Sequence, residues 1–365
     1  MMRPDVLIVD ADATAQQCNP ERAKPAHDWP PVLITRAVID REIERLADGP
    51  RPANGRRSVL FVHPNAPTPG RGLTPGVQVS LDVLKPGEET VPVRHNSTQV
   101  NFCIRGRGSA VVGDRRIGFD QYDVWNHPSY VTYRHSNDSK DLHARLTYSN
   151  AALLEMMRVH LVEEDPQPAR QKEHAAQPKV QHLPTFKIGD DGAALMPYET
   201  LINPPTVASP ALHWPWRTVK TNLDKLDALG SQYVGRRLYL LYNTKTDRFN
   251  GTTPNFFATM TIRPPSIVDR PHRHVSSAIN YYFHGSGYSR VEGKRYEWSA
   301  GDLMVSAPGW AVHNHASDDA SPVYELTIQD QPLNIYMESL LWQESLDQPG
   351  RILGTDAGFA TNRPT

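Results

Sequence analysis

Apolar and polar positions alternate in short bursts along much of this chain. Residues 255–262, 277–283 and 288–291 are rich in aromatic, Thr and β-branched side chains, and each predicts a strand. Glycine-bearing turns separate them. Gly285-x-Gly287 and Glu292-Gly293-Lys294 read as hairpin turns, where glycine supplies the positive φ. Gly301-Asp302 and Pro308-Gly309 add two more turns at close spacing. Many short strands with frequent turns predict a sandwich or barrel. Helical spacing is confined to short stretches. Val38, Ile39, Ile43 and Leu46 mark one helix, and Leu153, Leu154, Met157 and Leu161 mark a second over 150–162. Residues 223–229 suggest a third. Residues 166–207 read as a polar, proline-bearing connector and 347–365 as a loose tail.

The strand-rich pattern occurs twice. Segment 92–135 and segment 271–315 share their landmarks in order. Arg94-His95 matches Arg273-His274, Gly106-x-Gly108 matches Gly285-x-Gly287, Asp123 matches Asp302, and Pro128 matches Pro308. The offset is 179 positions from Arg94 to Arg273 and 180 from Pro128 to Pro308. One long offset across so many landmarks means a duplicated domain.

Composition narrows the function. Lys+Arg number 39 and Asp+Glu 40, a net charge of -1 with no run of like charge, which argues against nucleic-acid or membrane-surface binding. Two cysteines, Cys18 and Cys103, exclude a disulfide framework and a cysteine zinc site. Cys103 falls on a predicted strand and reads as a small buried hydrophobe. The 32 prolines among 365 residues exceed the usual ~5% and disfavour long helices. Near the N-terminus the only apolar run is 6–9, flanked by Asp5, Asp10 and Asp12, unlike a signal peptide. No apolar stretch approaches the ~18 residues that span a bilayer. A cytoplasmic protein is expected.

The fifteen histidines supply the candidate chemistry. His272 and His274 stand at i and i+2 beside a predicted strand, so an extended backbone aims both at one side. His313 follows a Pro308-Gly309 turn into another strand. Three neutral imidazoles can hold a divalent metal and leave coordination positions open. An isolated His-x-His is weak evidence. The ordered Gly285, Gly301-Asp302, Pro308 and His313 make it strong.

The pattern His-x-His, Gly, Gly-Asp, Pro, His resembles the two signature motifs of the cupin superfamily. The segments 271–289 and 301–315 are similar to gentisate 1,2-dioxygenase and its bicupin relatives, the salicylate and 1-hydroxy-2-naphthoate dioxygenases. Residues 209–216, with Leu223 and Leu226, resemble a segment between the two cupins of that family, and 242–246 resemble its turn before the second barrel. The resemblance spans roughly 59–344. It implies an all-β fold of two jelly-roll barrels with short flanking helices. The expected organisation is an N-terminal arm with a short helix over 1–58, a first cupin over 59–149, a helix and connector over 150–235, a second cupin over 236–345 and a tail over 346–365. It also implies a homo-oligomer, dimer or tetramer, to which the apolar helices and the connector contribute surface.

One departure from cupins at large, which the gentisate group shares, and two from that group itself sharpen the reading. Ala278 stands where many cupins carry a glutamate ligand, which favours a three-histidine site. In the first copy, Val93 and Tyr133 replace the first and third ligands and only His95 matches, with His135 two residues out of register and His127 in a turn. The first cupin therefore reads as metal-free, although the family usually keeps its working site there. Asn280 stands where the family's metal cupin has an arginine suited to a substrate carboxylate. Arg270 and Arg290 are candidate substitutes.

The resulting expectation is an Fe(II)-dependent dioxygenase that cleaves a hydroxylated or amino-substituted aromatic acid or phenol with O2. Its metal would sit on His272, His274 and His313. Asn280, Trp310, Tyr282, Arg270 and Arg290 are the substrate candidates, and His315 and Asn280 the catalytic ones. Trp298 reads as core or pocket wall, and His284 as a strand residue that could face the cavity. The alternatives are a non-oxidative metal cupin (isomerase, lyase or hydrolase) and a non-catalytic ligand-binding bicupin.

Overall fold

The computed structural model describes residues 29–167, 209–227 and 237–352, and in between 186–188, 190 and 192–196. Two β-barrels of jelly-roll type account for most of them. In the first, one sheet runs His213–Trp214, Val124–His127, Gln99–Arg105, His143–Ser149, Gln78–Leu84, Arg57–Phe61. Its facing sheet runs Val162–Glu164, Val93–His95, Tyr133–Ser136, Gly108–Val112, Arg115–Phe119. The second barrel repeats this order. One sheet runs Leu33–Ile34, Leu303–Ala307, Ala278–His284, Val323–Gln329, Phe257–Arg263, Arg237–Leu240. Facing it are Lys294–Ser299, Ser286–Val291 and His313–Ser317, linked through a His272–His313 bridge to Arg273–His274, Leu341–Gln343 and Arg351–Ile352.

Strand alternation sorts the side chains between two destinations. On Ala278–His284, Ile279, Tyr281 and Phe283 point outward into a core shared by both barrels, against Phe102 and Ile104. Tyr282 points inward, to Trp298, Met304 and Val291. The largest apolar core thus lies between the barrels. The barrel interiors are left free to hold polar groups.

The two short leading strands are exchanged between the barrels. Leu33–Ile34, ahead of the first barrel, pairs with Leu303 and Met304 of the second. His213–Trp214, ahead of the second, pairs with Val124 and Trp125 of the first. The matched aspartates of the repeat hold the helices that follow. Asp302 accepts the Arg36 N–H at 2.6 Å, where helix Arg36–Asp48 begins, and Asp123 accepts the Trp216 N–H at 2.7 Å, where helix Trp216–Asp227 begins. Each carboxylate satisfies an N–H that the helix itself cannot.

Several local expectations change. The helix expected over 150–162 is only Ala151–Met156, and the chain then enters strand Val162–Glu164. Met157 and Leu161 are 60% and 61% exposed, so their spacing was not a buried helical face. Helix Trp216–Asp227 starts before the expected 223; Leu229 lies outside the described residues. Glu292-Gly293 is a two-residue hairpin, with φ of 48° and 78° and Val291 opposite Lys294. Gly285 is not a hairpin turn. It carries the chain from one sheet to the other at φ 77°, where a Cβ would meet the Pro322 carbonyl at 2.6 Å. His127 ends strand Val124–His127, where a turn was expected. The expected tail contains a strand, Arg351–Ile352.

Candidate metal centre

His272, His274 and His313 converge. One ring nitrogen from each lies within 4.8 Å of the others, and all three residues are buried. The backbone explains the geometry. His272 and His274 share a face at i and i+2, and His272 and His313 exchange N–H···O=C bonds of 3.1 and 2.9 Å across a bridge.

The ring tautomers are set by carbonyl groups. Nδ1 of His272 bonds the Arg270 carbonyl at 2.9 Å, Nδ1 of His274 the Ser276 carbonyl at 2.7 Å, and Nδ1 of His313 the Ala311 carbonyl at 2.9 Å. A carbonyl only accepts, so each Nδ1 carries the proton and each Nε2 keeps its lone pair. Burial, reinforced by His272, His274 and His315, holds His313 well below the usual imidazole pKa, in the neutral form a metal requires. Three imidazoles converging on one point, each with Nδ1 turned to a carbonyl, fit a divalent transition metal.

The other sequence candidates scatter around this centre. His315 lies one inward position further along strand His313–Ser317, buried, with Nδ1 2.8 Å from Ser289 Oγ. Ser289 also accepts the Trp298 indole N–H at 2.9 Å and lies 3.4 Å from the Tyr282 hydroxyl. Tyr282 stacks on Trp298 at 3.7 Å. Asn280 faces the barrel interior, and its amide bonds Thr327 Oγ1 at 2.9 Å and Ser306 Oγ at 2.5 Å. Trp310 is half-buried beneath the Arg273 guanidinium. Arg270 and Arg290 lie on the surface, and His284 is exposed with Nδ1 on the Pro322 carbonyl. Those last three do not join the cluster.

Sequence reading missed three features. Ser289 gathers His315, Trp298 and Tyr282, and nothing local to Ser289 signals that. Trp342 stacks on two of the three converging imidazoles. Arg263 is fully buried between Asp269 and Glu325, at 3.2 and 3.1 Å. A charged residue ending an otherwise apolar strand was the available signal for this last one.

The matching position in the first barrel is built differently. His95 keeps the same local geometry as His274, its Nδ1 bonding the Ser97 carbonyl at 3.0 Å. Its Nε2 meets the Tyr133 hydroxyl at 2.9 Å. The tyrosine O–H thus supplies the electrophilic partner of the lone pair. Burial lowers the His95 pKa to about 4, so that nitrogen stays an acceptor. Val93 and Tyr133 occupy the places of His272 and His313. The double replacement Val93→His, Tyr133→His is expected to raise bound divalent metal from one to two equivalents per chain, measured by elemental analysis after dialysis. A ratio that stays at one would show that the first barrel has lost more than its ligands.

Two jelly-roll barrels in tandem, one with three converging imidazoles, give a bicupin-type fold. No family model matches the chain. The curated relatives it matches are nevertheless named as 1,2-dioxygenases of aromatic acids. It is 24% identical over 298 residues to a 5-aminosalicylate 1,2-dioxygenase of Comamonas sp, covering 78% of this chain and 74% of that one. It is 26% identical over 290 residues to a 1-hydroxy-2-naphthoate 1,2-dioxygenase of Nocardioides sp., covering 76% and 69%. A gentisate 1,2-dioxygenase of Haloferax sp is 22% identical over 344 residues, covering 85% and 86%. The fold is that of the salicylate 1,2-dioxygenase from Pseudaminobacter salicylatoxidans, with TM-score 0.73, 17% identity, and 92% and 93% of the two chains covered.

Proposed function

We propose that this protein is an Fe(II)-dependent dioxygenase that cleaves the ring of a hydroxylated or amino-substituted aromatic acid or phenol, with its active site in the second barrel. The observation that carries this is the convergence of three tautomer-fixed imidazoles at His272, His274 and His313. The relatives named for 5-aminosalicylate, 1-hydroxy-2-naphthoate and gentisate support the reaction class. Iron held on these three rings would supply a Lewis-acid and redox centre for a chelating phenol and for O2.

The chain's own residues do the rest. The carbonyl bonds to each Nδ1 keep the Nε2 lone pairs available for a metal. The Ser289 hydroxyl accepts the Trp298 N–H and hydrogen-bonds His315 Nδ1, which holds the His315 ring in place inside the barrel as the candidate proton-handling group. Tyr282, Trp298, Met304 and Val291 pack the interior alongside it and exclude bulk water. The same reading carries a cytoplasmic homo-oligomer, dimer or tetramer, and a first barrel without metal. Among the described residues, no helix is long and apolar enough to cross a membrane.

The test is direct. Protein purified without oxygen and loaded with Fe(II) is screened for O2 uptake against hydroxybenzoates, aminophenols and hydroquinones. One O2 consumed per substrate, with a product heavier by two oxygen atoms, is expected. Turnover with Zn(II) or Mn(II) and no O2 uptake would make it a non-oxidative metal cupin. Substrate binding without turnover would make it a ligand-binding protein.

Asn280 is assigned to the substrate's second polar group. Asn280→Ala is expected to lower kcat/KM by about 1–3 kcal/mol of transition-state binding, the cost of an unpaired polar partner, with metal content unchanged. Asn280→Arg is expected to shift preference toward carboxylated substrates. Unchanged kinetics in both variants would remove Asn280 from the pocket.

A further inference from the structure

Trp342 lies 68 positions beyond His274 in the sequence, yet its indole covers two of the three candidate ligands. Its ring centroid is 5.3 Å from that of His272 and 4.8 Å from that of His274, with planes 22° and 18° apart. Those two imidazoles are themselves 5.8 Å apart. One flat surface therefore lies against both. His313 is oriented differently, crossing His272 at 58° and His274 at 83°.

Strand pairing delivers the indole. Trp342 sits opposite His274 in the pair between Leu341–Gln343 and Arg273–His274, and Val275 N–H reaches the Leu341 carbonyl at 3.2 Å. On its other edge Trp342 faces Arg351. Gln343 bonds the Arg273 side chain, whose guanidinium stacks 4.6 Å from the Trp310 ring, and Gly350 packs against that same ring. The segment from Leu341 to Ile352 thus straps the His272–His274 side of the site to the Trp310 loop that leads to His313.

The first barrel provides an internal contrast. There the corresponding strand Val162–Glu164 sets Val162 opposite His95 and carries no aromatic residue. His95 instead contacts the Tyr133 and His160 rings. The indole accompanies the barrel that keeps histidine at all three ligand positions, and the strand matching its own carries no aromatic residue in the barrel that keeps only one of them.

We propose that Trp342 is a positioning residue for the metal, fixing the tilt of the His272 and His274 rings. The proposal rests on the three-histidine reading above. Hydrogen bonds at Nδ1 fix an imidazole's tautomer and anchor one edge of the ring. A flat face against the ring adds a direct restraint on its tilt.

The experiment titrates Co(II) into metal-free, full-length protein and follows its visible absorption. Wild type should develop the bands of one bound equivalent, and His313→Ala should lose them. Trp342→Leu keeps apolar bulk without a flat face. It should bind Co(II) about 10- to 100-fold more weakly, with shifted bands, while the circular dichroism of the metal-free protein is unchanged. Trp342→Phe restores a smaller flat ring and should fall between the two. Trp342→Met makes the same comparison should the leucine variant fail to fold. A leucine or methionine variant with wild-type affinity and bands would overturn the proposal, as would a phenylalanine variant no tighter than leucine. Wild type that takes up no Co(II), or His313→Ala with unchanged bands, would instead overturn the three-histidine reading and the proposal with it.

Discussion

Replacing His313 with alanine is expected to abolish metal binding and ring cleavage together. His313 is the ligand that closes the set, because it alone comes from a strand distant in sequence from the His272–His274 pair. Two imidazoles from one short strand make a poor site for a catalytic metal, which generally takes three protein ligands. Less than a tenth of an equivalent of metal should survive dialysis, and O2 uptake should fall to background. Stability should report the same loss. A ligand that binds only the folded chain at about 100 times its Kd adds about 2.7 kcal/mol. Metal-loaded wild type should therefore melt several degrees above its chelated form, and the variant should show no such gap. The corresponding change in the first barrel, His95→Ala, should leave metal content untouched. Metal retained by His313→Ala, or lost by His95→Ala, would mean that the site has been assigned to the wrong residues.

The second large effect is expected from Arg263→Met. Arg263 is fully buried, and its guanidinium lies 3.2 Å from Asp269 and 3.1 Å from Glu325, both also buried. Burial opposes its charge, but the two carboxylates win and hold its pKa above the ordinary arginine value. Removing the cation strands two anions in the barrel interior. Breaking a buried charge pair in this way typically costs about 3–5 kcal/mol. At about 2–4 °C per kcal/mol for a domain of this size, the melting temperature should fall by about 10 °C. The double variant Arg263→Met, Glu325→Leu should recover part of that loss, because it leaves one stranded carboxylate instead of two. A loss below about 1 kcal/mol in the single variant, read from denaturant or thermal melts, would show that water reaches this cluster.

The two barrels were legible because strand periodicity and turns are local. Alternation over 277–283 predicts a strand half-facing each way, and Ala278–His284 is that strand. The offset between Arg94 and Arg273 is visible without any structure. The metal candidates were legible for the same reason. His272 and His274 share a face through backbone geometry alone, and the cupin spacing brought in His313. Local patterning failed where a neighbour in space decided the outcome. Met157 and Leu161 follow helical spacing, yet the chain leaves the helix after Met156 to supply an edge strand beside Val93–His95. Gly285 has the composition of a hairpin turn, but the strands on either side pair with different partners.

The sequence by itself determined the duplication, the β architecture and which barrel keeps three histidines, since each depends on residues close in the chain or on one repeated spacing. Tertiary structure alone decided that the leading strands are exchanged and that Asp123 and Asp302 serve helices belonging to the other half of the repeat. It also decided that Tyr133 answers the His95 lone pair and that Ser289 gathers three distant side chains. Trp342 is the clearest case. Nothing near it in the sequence refers to a histidine. It meets His272 and His274 only because strand Leu341–Gln343 returns beside Arg273–His274. Cross-strand pairing brings side chains within contact distance regardless of the chain length between them, so these partners become visible only once the register is known.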